Sequence, residues 1–368
     1  MRLIMKNIIF TLLVSLILIF SCKGGKEGLS DSVDTIKIGV VYPMSGDWAK
    51  YGEDARIAAD IFLENFNKQK HKFNYEVIFE DSQGSPMRAH TAAQKLISLD
   101  KVDVVSSLFS RTSAPVSILA EKNEVVGIFT TTDLSICNRN YSFCIGSHPK
   151  DSADKLHKTL LEKGVKNVSV ISVQTQGNLE MARQFENIVN DNSKINIVGK
   201  FAINPGERDF RITILKILRQ NPDYIVALID NPEIDIFIKQ LREQNSSVPV
   251  TGIYLIENIE DKSLAEGLWS VGDPIDPKYY EQYKSKTNVP TTNYGEYVHV
   301  VLEVTAYAYE NVGEKNNEKV VEFIKEIKDL YTALGSVSTN ESNFITTLPA
   351  LLEVKDGQIV VIDESKDK

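Results

Sequence analysis

The residues best suited to chemistry in this 368-residue chain are hydroxyls gathered where strand-like runs give way to helical ones. The run Phe109-Ser-Arg-Thr-Ser113 follows a β-rich segment and opens a helical one. The first backbone N–H groups of a helix lack intrahelical partners and carry partial positive charge. With the Ser110 and Thr112 hydroxyls added, and Arg111 in the same run, such a terminus could hold a carboxylate. An ordinary helix cap would use the same residues, and the sequence leaves both readings open. Thr130-Thr-Thr-Asp133 ends the next strand-like run. Thr130 and Thr132 are candidate polar contacts there, although adjacent threonines also serve plain turn chemistry. Trp48 and Tyr51 are candidates for an aromatic wall over a ligand, or for a hydrophobic cap on the helix that follows. Asp230 ends a further strand-like run, where it could meet a cationic group or act as a solvated loop acid.

No catalytic set accompanies these residues. The chain lacks Gly-x-Ser-x-Gly, a P-loop and a dinucleotide Gly-x-Gly-x-x-Gly. Its histidines, at 71, 90, 148, 157 and 299, form no i,i+4 pair and no Cys/His cluster, so no metal site and no cofactor are expected. An enzyme is not expected. The formal charge is −9, from 41 basic and 50 acidic residues, with both signs mixed along the chain. That balance disfavours nucleic acid and anionic lipid as partners.

The elements that must position these side chains alternate with little interruption. Strands are expected at 36–42, 75–79, 102–108 and 125–129, with helices at 50–68, 86–99 and 113–122 between and after them. The pattern restarts after His148-Pro149, with strands at 168–173, 195–202, 224–229 and 250–254. Helices at 153–162, 179–190, 210–219 and 233–244 separate those. Near-continuous apolar strands alternating with helices imply parallel sheets covered on both faces. The fold class is therefore α/β, with two Rossmann-like lobes. Later segments at 279–286, 294–310 and 319–330 read as mostly helical, and two short strands at 351–354 and 359–362 turn at Asp356-Gly357.

The N-terminus carries Arg2 and Lys6, an apolar run over 8–20, then Ser21-Cys22. Thirteen apolar residues suit a signal-peptide core and are short for a membrane span. Cys22 directly after that core resembles a bacterial lipoprotein processing site. This implies a signal peptide over 1–21, a lipidated Cys22, and a glycine-rich tether over 22–35. Without Arg2 and Lys6, 39 basic residues face 50 acidic ones, a net −11. Cys137 and Cys144 bracket six residues. In an exported protein such a pair reads as a disulfide closing a small loop, worth roughly 2–3 kcal/mol by loop entropy; two buried thiols are the other reading.

The segment Ile36-Lys-Ile-Gly-Val-Val-Tyr-Pro-Met-Ser-Gly-Asp-Trp-Ala-Lys-Tyr-Gly52 resembles type I periplasmic binding proteins, in particular the leucine/isoleucine/valine-binding branch. The similarity continues through residues 106–115, Gly206-Glu-Arg-Asp-Phe210, Asn221-Pro-Asp-Tyr224 and the helix at 294–310. The resemblance implies two lobes joined by three crossover segments, near Ser147, 270–273 and 339–342. The first lobe would then comprise 36–147 with 273–340, and the second 148–272 with 341–368. It also implies a small carboxylate-bearing ligand, such as an amino acid, held between the lobes and passed to an ABC permease. The protein would be an exported monomer, lipid-anchored and facing the periplasm or cell exterior. A sensory lipoprotein of the same fold, or one whose cleft no longer binds, would share these features.

By the same resemblance Ser110 holds an α-carboxylate and Thr132 adds a polar contact. The second lobe departs from the family pattern. Tyr254 stands where the family's ammonium-binding glutamate is expected, and Gln176-Gly177 replaces a Tyr-Gly pair. Asp230 or Asn231 replaces an aromatic, and His299 stands for the tyrosine of the late helix. Gln176, Asp230 and Tyr254 therefore join the candidate contacts. An ammonium would need Asp230 or Asp133 as its partner, because an unpaired buried charge is costly.

Overall fold

The computed structural model describes residues 33–191, 194–287 and 294–362. Cys22, the leader, nearly all of the tether and the last six residues lie outside the described residues. From Thr35 onward the chain forms one compact unit. It contains an eight-stranded sheet of order β11-β12-β13-β5-β4-β3-β1-β2 and a four-stranded parallel sheet of order β7-β6-β8-β9. The first uses β1 (Thr35–Tyr42), β2 (Asn74–Asp81), β3 (Val104–Leu108), β4 (Val126–Thr130), β5 (Ser142–Ser147), β11 (Leu330–Thr332), β12 (Gly335–Thr339) and β13 (Phe344–Thr347). The second uses β6 (Asn167–Val173), β7 (Asn196–Ile203), β8 (Tyr224–Leu228) and β9 (Val250–Thr251). The antiparallel trio β10 (Trp269–Gly272), β14 (Ala350–Lys355) and β15 (Gln358–Val361) joins β9 through the Ile253–Val271 bridge.

The sequence accounts for these layers. Strands β3, β4 and β5 are buried at every residue, as strands covered on both faces must be. Each sheet has a separate apolar core on either face. Helix Gly295–Val312 is apolar around most of its circumference and lies in the first lobe's core against helix Ala49–Phe66.

Three differences from the sequence reading matter for the site. Helix Ser110–Lys122 begins three residues early, with Phe109 at φ 64 as its cap residue. Helix Gln176–Asp191 also begins three residues early and brings its first turn to the carboxyl end of β6. The expected strand at 250–254 stops at Thr251, and Tyr254, at φ 57, caps the short helix Leu255–Asn258.

The chain passes between the sheets after Ser147, after Gly272 and after Thr347. The expected third crossing at 339–342 is corrected by β13, which pairs in parallel with β5, Phe344 opposite Cys144. Residues 341–347 therefore belong with the first lobe. Cys137 and Cys144 are buried together with Cα atoms 5.4 Å apart, within the span of a disulfide.

Candidate functional site

The loops at the carboxyl ends of β1, β3, β4, β6 and β8 face one another across a pocket of about 910 Å³, its open mouth included. Open α/β sheets bind ligands at that end of their strands. Trp48, Ser110, Arg111, Thr130, Thr132, Asp230 and Tyr254 line it, as the sequence reading expects. Thr131, Asn178, Asn231, Glu233, Asn258, Tyr294 and Tyr297 line it too.

On the first lobe, Ser110 Oγ lies 3.1 Å from Thr131 Oγ1, which also accepts from the Asp133 N–H at 3.1 Å. If Thr131 donates to Ser110, the Ser110 proton is left for a ligand oxygen. Ser110 is also the first residue of its helix, so the free N–H groups of that terminus point the same way. The Trp48 loop is held by Asp81, whose carboxylate accepts from Met44 N–H at 2.8 Å and Ser45 Oγ at 2.6 Å. Trp48 packs edge-on to Phe109, with ring centres 5.6 Å apart, and lies under Arg111, 5.3 Å away.

On the second lobe, Asp230 accepts from Asn178 Nδ2 at 2.8 Å and from Asn258 Nδ2 at 3.4 Å. Asn258 Oδ1 in turn accepts from Tyr294 OH at 2.8 Å. Burial pushes the Asp230 carboxyl up to about 6, against the Asn178 hydrogen bond and despite Arg111. Glu233 lies in the same wall and takes the Gly206 N–H at 2.5 Å.

The lobes touch at Gly177. A Cβ there would lie 2.5 Å from Thr132 Oγ1 and 2.6 Å from Ser110 Oγ, so only glycine allows this approach. Three residues that line the pocket, from three chain segments, converge on Asp273. Its carboxylate accepts from Ser147 N–H at 2.8 Å, Tyr254 OH at 3.2 Å and Tyr297 OH at 2.6 Å, and also from the Ser147 hydroxyl.

Several expectations are corrected. Tyr51 stands behind the pocket, edge-on to Phe109 and Tyr294 at 5.4 and 5.6 Å, because its face of helix Ala49–Phe66 is the core face. The Thr112 hydroxyl turns back to Leu108 O and does not face the pocket. Gln176 is exposed, and the next two residues of its helix face the cleft in its place. Asp133 caps helix Leu134–Cys137 through Ser135 N–H at 3.0 Å. His299 packs on Phe62 and Tyr279 inside the first lobe, so the late helix reaches the site through Tyr294 and Tyr297. Phe109, Tyr254 and Tyr294 share a signal that sequence does not carry. Each has positive φ, each precedes a helix, and each lines the pocket. Bulky residues hold that conformation only where the surroundings enforce it, most often at functional sites.

A two-lobed α/β clamp, with polar groups from both lobes converging at its strand ends, defines a solute-binding protein of the type I class. The chain belongs to the periplasmic binding protein family, whose model matches residues 35–358, and its relatives are of the branched-chain amino-acid-binding type. It is 24% identical over 353 residues to a Leu/Ile/Val-binding protein of Rhizobium johnstonii, covering 89% of this chain and 94% of that one. It is 23% identical to the leucine-, isoleucine-, valine-, threonine- and alanine-binding protein of Pseudomonas aeruginosa, covering 82% and 85%. Among solved structures, a leucine-binding protein of Thermotoga maritima superposes with TM-score 0.78 at 21% identity, over 90% of this chain and 99% of that one. A solute-binding protein of an ABC transporter from R. palustris, in complex with benzoate, superposes with TM-score 0.80 at 15% identity, over 89% and 95%.

Proposed function

We propose that this protein is a lipid-anchored, exported solute-binding protein that captures an α-amino acid between its lobes and delivers it to an ABC permease. One observation carries the ligand class. Gly177 meets Ser110 and Thr132, while its neighbour Asn178 holds Asp230. The hydroxyls suited to a carboxylate and the acid suited to an ammonium thus line one pocket, brought together through two consecutive residues of one helix. Asp230 takes the ammonium in place of the glutamate that Tyr254 displaces. The contact at Gly177 corresponds to the closed clamp, which ligand favours because only that state touches it from both sides.

The names of the amino-acid-binding relatives support this reading. So do Cys22, placed for lipidation, and the Cys137–Cys144 pair, which we assign as a disulfide suited to an oxidising compartment. A second reading, an aromatic carboxylate, is favoured by the aromatic lining and by the benzoate-bound neighbour. Mass spectrometry of the small molecule retained by the native protein, followed by calorimetry, tests both. Retention of an α-amino acid supports the first reading and a benzoate the second. Failure of every amino acid and small carboxylate to bind overturns both.

A further inference from the structure

Most polar side chains in the cleft already have partners. The amides of Asn178 and Asn258 bond Asp230, Tyr294 bonds Asn258, Glu233 bonds the Gly206 N–H, and Ser110 bonds Thr131. Asn231 differs. It lines the cleft beside Asp230 and is only 6% exposed, yet its amide nitrogen has no hydrogen-bond partner. Among the described residues lining the cleft, no other side chain has a buried nitrogen or oxygen so placed. A buried N–H donor left unpaired is unfavourable, and native structures rarely keep one without a use.

We infer that Asn231 is the specificity residue of the cleft and that its Nδ2 donates to a neutral oxygen on the ligand side chain. This rests on the amino-acid reading above and narrows it to amino acids bearing a hydroxyl or a carboxamide. The acceptor is neutral because Asp230 and Glu233 stand in the same wall and oppose an anionic side chain. A purely aliphatic side chain leaves the Asn231 donor unpaired after water is expelled, and sites built around such a donor discriminate strongly against analogues without the acceptor.

Two nearly isosteric pairs test this by titration calorimetry: L-threonine against L-valine, and L-asparagine against L-leucine. The wild-type protein binds the oxygen-bearing member of at least one pair about tenfold or more tightly than its aliphatic partner. Asn231→Leu, which keeps the size and removes the donor, erases or reverses that preference. A melting curve establishes that the variant is folded; should it not fold, the wild-type preference decides alone. Aliphatic members bound as well as or better than their partners overturn the inference and leave the amino-acid reading standing. No binding by any of the four overturns the inference, and failure across all amino acids overturns the amino-acid reading with it. A preference unchanged in a folded Asn231→Leu variant also overturns it.

Discussion

Replacing Gly177 by alanine should separate folding from binding. The new Cβ would lie 2.5 Å from Thr132 Oγ1, 0.9 Å short of the 3.4 Å at which ordinary contact begins, and 2.6 Å from Ser110 Oγ. Rotating Ser110 away would relieve the clash but would remove the hydroxyl meant for the ligand. Retreat of the second lobe would keep the hydroxyl but open the clamp. Overpacking of this kind costs about 1–3 kcal/mol, or roughly 5- to 150-fold in affinity. The fold itself should not suffer, because Gly177 lies in the first turn of a helix, where alanine is at least as favourable. Calorimetry should show the weakened binding, small-angle scattering a smaller ligand-induced compaction, and melting of the unliganded protein no loss. Wild-type affinity with full compaction would refute the interlobe contact. A lowered melting temperature without ligand would mean that Gly177 matters inside its own lobe instead.

Four other outcomes follow from the same geometry. With the Asp230 carboxyl near 6, an ammonium ligand must displace a proton below that pH, so affinity should fall about tenfold between pH 7 and pH 5; a flat profile would remove Asp230 as the partner. For the unliganded protein the sign is opposite. The ionised form is the disfavoured one in the fold, so this group adds stability as pH falls from 7 toward 4. Asp230→Asn should weaken an amino acid by roughly 1.5–3 kcal/mol, and Ser110→Ala by about 1 kcal/mol; a benzoate-type ligand would be insensitive to the first and would respond to Trp48→Ala. Alkylation of the native, unreduced protein should find no free thiol at Cys137 or Cys144, and labelling at both would dismiss the disulfide.

The parallel architecture is legible because short runs such as 104–108 and 126–130 carry no charged residue and no polar alternation, which two-sided burial explains. Strand β13 is not, because Phe344–Thr347 is four residues long and its partner β5 lies about 200 residues earlier. Ser110, Thr132 and Asp230 could be read from their places at strand ends. Tyr294 and Tyr297 could not, since aromatics at the start of a helix rich in Val, Leu, Ala and Tyr look like core. The error at Gln176 is one of phase. A helix expected at 179–190 places 176 in a loop, whereas the helix starts at Gln176 and turns it outward and Gly177 and Asn178 inward. Asn258 carries no local pattern, and Asn231 is marked only by its place beside Asp230 just after β8. Their roles arise from β8 and a four-residue helix brought together in space.

The pairing of β13 with β5, and of β14 with β10, governs the order in which the chain can fold. Both lobes receive a strand only when residues 344–355 are available, so two sheets stay unfinished until that segment is made. Until that segment arrives the edges of β5 and β10 stay bare, and a bare strand edge is a template for pairing with another chain.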